Sequence, residues 1–299
     1  RHFDIEQLQK AQEEDRPLGR EAKRLNALQL AKDQDRLFIL GKPGAGKTTF
    51  LKYVALQALA NKIEKIPIFI SLHEWANSGL ELMPFIARQF EICAFPNAGA
   101  FIEVLLKKGW AILLFDGLDE VNIEGDQRAR LTTAINNFVK QYPANKFLIT
   151  CRIAASDYAF DRFVDVQIAD FDDEQVKTFA GKWFSGDPRK GERFVSELGK
   201  PEHRGLRELA QTPLLLTLLC LAFEETLTFP PRRAEIYEEA LDALLKKWDA
   251  SRNIQRDEAY KALSLGRKRQ LFARLAAEYF EKGETFFRQD DLARRVESF

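Results

Sequence analysis

The sequence predicts an α/β fold, a parallel sheet with helices on both faces, followed by a helical domain. Three observations point there. Between residues 37 and 169, short apolar runs alternate with amphipathic stretches of helix length, the pattern of βαβ units. Several of those runs are continuously apolar, as strands buried on both faces are. After residue 170 the strand-like runs stop and helical periodicity takes over.

Residues 1–35 are polar and helix-like and form a lead-in or linker. The expected strands are 37–40, 66–72 (IPIFISL), 110–115 (WAILLF), 147–151 (FLITC) and 163–168 (FVDVQI). Helix-length stretches lie near 47–60, 80–92, 98–108 and 126–142, with Gly109 and Pro143 just past helix ends, where stop signals belong. At Phe171 to Val176 a new helix starts: Asp172 is the expected N-cap, Gln175 stands three residues on, and Phe171 can staple to Val176. The divisions are therefore 1–35 lead-in, 36–169 α/β domain, 170–229 helical domain and 230–299 a further helical segment, cut short at Phe299.

Gly41-Lys42-Pro43-Gly44-Ala45-Gly46-Lys47-Thr48 fits G-x-x-x-x-G-K-[ST] at every fixed position, after an apolar strand and before a helix. Glycines let backbone N–H groups wrap a phosphate chain, and the helix N-terminus adds partial positive charge. In this loop Lys47 reaches the β- and γ-phosphates, the Thr48 hydroxyl holds Mg²⁺, and Thr49 is a further phosphate contact. The fold expected is thus that of a P-loop NTPase. WAILLFDGLDE then runs a buried strand into acids, so Asp116 falls at the carboxyl end of its strand, where open parallel sheets bind ligands. Asp116 is the expected second Mg²⁺ ligand, opposite Thr48.

Many ATPases of this class place Glu directly after that Asp; here the position is Gly117, and the next acids are Asp119 and Glu120. A small residue after the first Asp, followed by Asp-Glu, resembles the NACHT family within the STAND class of signal-transduction NTPases. The resemblance implies that Asp119 polarises the attacking water, with Glu120 as the second candidate, and that hydrolysis is slow, serving as a timer. In Phe147 to Arg152 a strand again ends in a charged residue, and Arg152 is similar to the family's sensor arginine, which reads the γ-phosphate; a guanidinium suits that task by bidentate bonding. Ala210 to Leu216 resembles the proline motif of the helical domain, in which Pro213 packs on the nucleotide, although a helix-start proline explains Pro213 equally well. Pro231 to Tyr237, followed by LDALLKKWDASR, resembles the entry to a winged-helix domain, here partial. Family members often carry a nucleotide-contacting histidine late in that domain. The histidines here are His2, His73 and His203, and none stands in that place.

As a NACHT-type switch, the protein is expected to bind ATP or ADP with Mg²⁺. ADP would hold the α/β and helical domains closed, and exchange for ATP would expose an oligomerisation surface. The expected partners are its own kind and flanking sensor and effector domains, in innate immune or antiphage defence. GTP is not excluded, because base contacts come from scattered residues, with Arg16 to Arg24 as candidates. Two other classes stay open at this point: a nucleic-acid-stimulated motor ATPase, which turns over fast, and a scaffold whose nucleotide is structural.

Bulk composition agrees. Forty-five basic and 45 acidic residues give a net charge of zero, which argues against a dedicated nucleic-acid binder. The longest apolar run, Pro213 to Phe223, is about half of the ~20 residues a membrane span needs. Cys93, Cys151 and Cys220, without C-x-x-C spacing, suit a reduced, cytoplasmic protein. A start at Arg1 and an end in a helical pattern suggest a piece of a longer polypeptide. The basic run Gly266-Arg267-Lys268-Arg269 reads as a solvated face rather than a DNA contact, His73 as a loop or partly buried residue, and the 24 phenylalanines as core.

Overall fold

The computed structural model describes residues 24–121, 127–153, 160, 162–229, 235, 238, 242, 264–281 and 294–296. The chain divides into two units, the first comprising Arg1–Val176 with Ala210–Leu215, the second Lys177–Leu209 with Leu216–Phe299.

In the first unit, helix α1 (Ala27–Asp33) leads into β1 (Arg36–Gly41), α2 (Lys47–Leu59), β2 (Ile66–Ser71), α3 (Leu72–Ser78), α4 (Leu82–Ile92) and α5 (Ala98–Lys107). There follow β3 (Ala111–Asp116), a 3₁₀ turn (Leu118–Glu120), α6 (Gln127–Gln141), β4 (Lys146–Arg152) and β5 (Val164–Gln167). The strands form one parallel sheet of five in the order β2-β3-β4-β1-β5. Alternate residues feed two cores. Phe38, Leu40, Leu113, Phe115, Phe147 and Ile149 enter one, and Leu37, Ile39, Ile112, Leu114 and Leu148 the other. That is why β1, β3 and β4 read as unbroken apolar runs. The edge strands differ: Phe69 of β2 is 38% exposed and β5 is largely exposed, so burial on both faces holds only for the interior strands.

One expected element is split differently. The strand foreseen through Leu72 ends at Ser71, whose hydroxyl accepts the Glu74 N–H (3.3 Å) and caps α3. Ser-Leu-His-Glu is a capping-box spacing. The start of α7 (Asp173–Trp183) is as expected: Asp172 Oδ1 accepts from the Gln175 N–H (2.9 Å), while Gln175 Oε1 accepts from the Asp172 N–H (3.1 Å).

The second unit includes α8 (Pro188–Leu198), α9 (Arg204–Ala210, its last residue in the first unit) and α11 (Leu265–Glu281); α10 (Pro213–Thr226) begins in the first unit and continues in the second. Phe184, Phe194, Phe223 and Phe229 form a nest of edge-on and tilted rings there. The basic run is a solvated face only in part: Gly266 and Arg267 are exposed, whereas the two residues that follow are not. Arg269 pairs with Glu238 (2.7 Å) and with Asp242, and Lys268 is 5% exposed, so these charges serve local packing. The winged-helix motif at 231–237, apart from Glu235, and all of 243–263 lie outside the described residues, as do residues 1–23. Among the described residues no helix is long and apolar enough to cross a membrane.

Candidate nucleotide site

Parallel register lines up the strand tips. Gly41 of β1 pairs with Arg152 of β4, Phe115 of β3 with Ile149 of β4, and Ser71 of β2 with Asp116. The glycine loop, the acidic strand end and the arginine strand end thus share the carboxyl edge of the sheet, with β4 between the other two strands. Two shallow clefts elsewhere, lined by Leu106 and Tyr142 and by Leu59 and Trp110, lie toward the amino ends of the strands.

The loop has the conformation its glycines permit. Gly44 and Gly46 have φ of +73° and +93°, where a side chain would be strained. Gly46 caps α2 with no side-chain bond, so the first N–H groups of that helix are served by no cap of its own. Ala45 is buried, whereas Pro43, Thr48 and Thr49 are exposed at the loop and first turn. The Lys47 ammonium donates to the carbonyls of Gly41 (2.9 Å) and Lys42 (3.2 Å). Burial lowers its pKa, offset in part by the carboxylates of Asp119 and Asp116. Lys42 pairs with Asp170 (3.1 Å).

Pro213 stands at the first position of α10, as a helix-start proline does. The next residue meets the loop directly: the Leu214 N–H donates to the Gly44 carbonyl (3.3 Å). A Cβ at Gly44 would fall 2.6 Å from that of Leu214, so Gly44 is required by contact as well as by φ. Of the residues proposed for the base pocket, Arg24 is described, and it pairs with Asp172 (2.6 Å) and the Asp170 carbonyl (2.7 Å).

The acids are arranged less simply than their spacing suggests. Asp116 Oδ1 accepts from the Thr150 hydroxyl (2.7 Å), which itself accepts from the Gly117 N–H (2.9 Å). Thr150 is fully buried and fixes the Asp116 carboxylate. Sequence reasoning passes it over, although a hydroxyl inside FLITC is a visible signal. Asp119, 3% exposed, is fully engaged with Arg152: Oδ2 lies 2.8 Å from Nε and Oδ1 accepts from the backbone N–H (2.9 Å). The residues assigned to water activation and to phosphate sensing therefore hold each other.

Gly117 adopts φ +79°, ψ 54°, in the left-handed region. A Cβ there would lie 3.0 Å from Glu120 Cδ and Oε2, so the Glu120 carboxyl folds over the position that glycine leaves open. Glu120 as a residue is exposed, but its carboxyl end is partly covered. That burial, then the neighbouring Asp119 and Asp116, raise its pKa above the ordinary 4.5, against Arg152 and His73. Burial likewise pushes the Cys151 thiol up to about 12, so it is an inert core group. His73 is no isolated loop residue: its Nδ1 lies 3.2 Å from the Glu120 carbonyl.

The residues present fit a nucleoside triphosphate. A loop of N–H groups, a lysine amine satisfied by the loop's own carbonyls, and a fixed carboxylate converge on one edge.

A family model described as NACHT domain matches residues 35–187. No curated protein matches the chain. Among solved structures it is similar to PCH-2 of C. elegans, with 13% identity over 74% of this chain and 66% of that one, and a TM-score of 0.41. It is also similar to domain III of the replication initiation protein DnaA from Thermotoga maritima (18% identity, 74% and 88% covered, TM-score 0.39). AMPPCP-bound DnaA from Aquifex aeolicus is a third (13%, 91% and 90%, TM-score 0.37). The chain thus spans just under two thirds of the PCH-2 chain. The matched NACHT span takes in just over half of the chain and every strand tip that builds the site, from Gly41 to Arg152, and so the chain belongs to the NACHT-domain family of P-loop NTPases.

Proposed function

We propose that this protein is a nucleotide-dependent signalling switch that binds ATP or ADP with Mg²⁺, hydrolyses ATP slowly and controls assembly with copies of itself, in innate immune or antiphage defence. The observation that carries this reading is the Asp119–Arg152 pair (2.8 Å) beside the left-handed Gly117. A fast ATPase keeps its water-activating acid and its phosphate sensor ready. Here each occupies the other, so turnover requires the pair to part, and a γ-phosphate is the group able to compete for the guanidinium.

In this reading the loop N–H groups and Lys47 bind phosphates common to both nucleotides. Thr48 and Asp116 hold Mg²⁺, which supplies charge neutralisation when bound, and Thr150 sets the Asp116 carboxylate. Thr49 adds a phosphate contact and Pro213 packs on the nucleoside. Asp119 orients the attacking water once Arg152 turns to the γ-phosphate, with Glu120 as the alternative base. The corresponding domain limits are 36–169 for the nucleotide domain, 170–229 for the helical domain and 230–299 for a winged-helix segment. The site lies in the cytoplasm, where ATP is found.

The test is light scattering with mass spectrometry of retained nucleotide, using Lys47→Ala as the control without nucleotide. A switch retains ADP, turns over slowly and changes assembly state when ATP replaces ADP, while Lys47→Ala does none of these. Rapid hydrolysis stimulated by nucleic acid, or an assembly state indifferent to nucleotide, would overturn the reading.

A further inference from the structure

The backbone of the acidic turn is held at three consecutive carbonyls. Arg128 of α6, 5% exposed, directs Nη2 at the carbonyl oxygens of Asp119 (3.1 Å) and Val121 (3.1 Å). The carbonyl between them, that of Glu120, lies 3.2 Å from Nδ1 of His73, in the first turn of α3. A carbonyl oxygen only accepts, so Nδ1 carries the proton; Nε2, 3.1 Å from the Asn77 amide nitrogen, then accepts from Asn77.

We propose that His73 and Arg128 are positioning residues, a brace that sets where the Asp119 and Glu120 carboxylates stand. The two come from helices on either side of the turn, α3 and α6, and grip alternate carbonyls of one short segment. Asp119 can reach both the side chain and the backbone N–H of Arg152 only while that segment keeps its path. Glu120 likewise lies over Gly117 only from this turn. The brace thereby governs how readily the Asp119–Arg152 pair parts. The inference rests on the reading of that pair as the γ-phosphate end of the site.

The two braces differ in how they can be tested. Arg128 is buried, and its removal would strand two carbonyls in the interior. His73 is exposed, and its ring can be exchanged without opening a cavity. His73→Phe keeps the ring and removes the donor; His73→Gln returns a side-chain N–H. In the full chain, His73→Phe is expected to lower kcat about three- to tenfold, the range for one lost hydrogen bond. ADP affinity should stay within about twofold, and His73→Gln should recover most of kcat. An unchanged kcat, equal losses in the two variants, or a parallel fall in ADP affinity and melting temperature would overturn the proposal. If the parent shows no turnover, the hydrolytic reading fails by itself. The brace is then read from the ratio of ATP to ADP affinity by calorimetry, which His73→Phe must shift at least about threefold if the brace acts. A ratio equal to the parent's rejects it.

Discussion

Gly117→Ala isolates what the glycine after Asp116 contributes. The backbone there sits at φ +79°, ψ 54°, which glycine adopts freely and an L-residue does not. Holding alanine in that region costs roughly 1–2 kcal/mol. The new methyl would stand 3.0 Å from Glu120 Cδ and Oε2. That neighbour is the far end of a flexible side chain, so it swings away at little cost and the backbone term dominates. At about 2–4 °C per kcal/mol for a unit of this size, the melting temperature should fall by about 2–8 °C. Thermal unfolding followed by circular dichroism reads the loss, and the same variant in a Glu120→Ala background separates the causes. If backbone conformation is responsible, the drop persists when Glu120 is truncated. An unchanged melting temperature in both backgrounds would refute the assignment of a strained position. A drop that vanishes with Glu120 would mean that contact, not φ, demands the glycine.

Asp119→Asn should leave ADP binding within about twofold and lower ATP turnover at least about tenfold, because an amide cannot accept a proton from water. Unchanged turnover would transfer the base role to Glu120. Glu120→Gln should raise the melting temperature at neutral pH. A carboxyl whose folded pKa lies above its unfolded value opposes folding increasingly as pH rises from about 4.5 through the folded value, and the full penalty persists above it. The stabilisation should therefore fade as pH is lowered to the ordinary carboxylate range, and thermal scans across pH would show it. A variant no more stable than the parent at pH 7 would contradict the raised pKa.

Much of the site is legible from order and spacing alone. Gly41 to Thr48 announce their role because each fixed residue has a backbone or charge reason to be there. Asp116 and Arg152 can be placed because each ends an apolar run, and a parallel sheet puts strand ends on one edge. What cannot be read are contacts between tips of different strands. Asp119 and Arg152 are 33 positions apart, and nothing in either local sequence says that one will neutralise the other. Thr150 is hidden inside a β-strand where threonine is ordinary. His73 reads as a loop residue only if the strand is carried one residue too far; the Ser71–Glu74 cap places it on a helix facing the acids. Gly117 stands out in the sequence for what it lacks, whereas its conformation and the Glu120 carboxyl above it give the fuller reason. In the basic run Arg267 is exposed as expected, but Arg269 misleads for the opposite cause: the acids that neutralise it, Glu238 and Asp242, come from elsewhere in the chain.

The central claim is that Arg152 tells ATP from ADP by leaving Asp119 for the γ-phosphate. Calorimetric titration of the nucleotide-free chain with each nucleotide and Mg²⁺, in the parent and in Arg152→Ala, tests it most directly. The account predicts that the parent's ratio of ATP to ADP affinity differs from unity by at least about fivefold, in the range of ordinary coupling energies, and that the ratio collapses toward one in the variant while ADP affinity holds. The same ratio in parent and variant would contradict it.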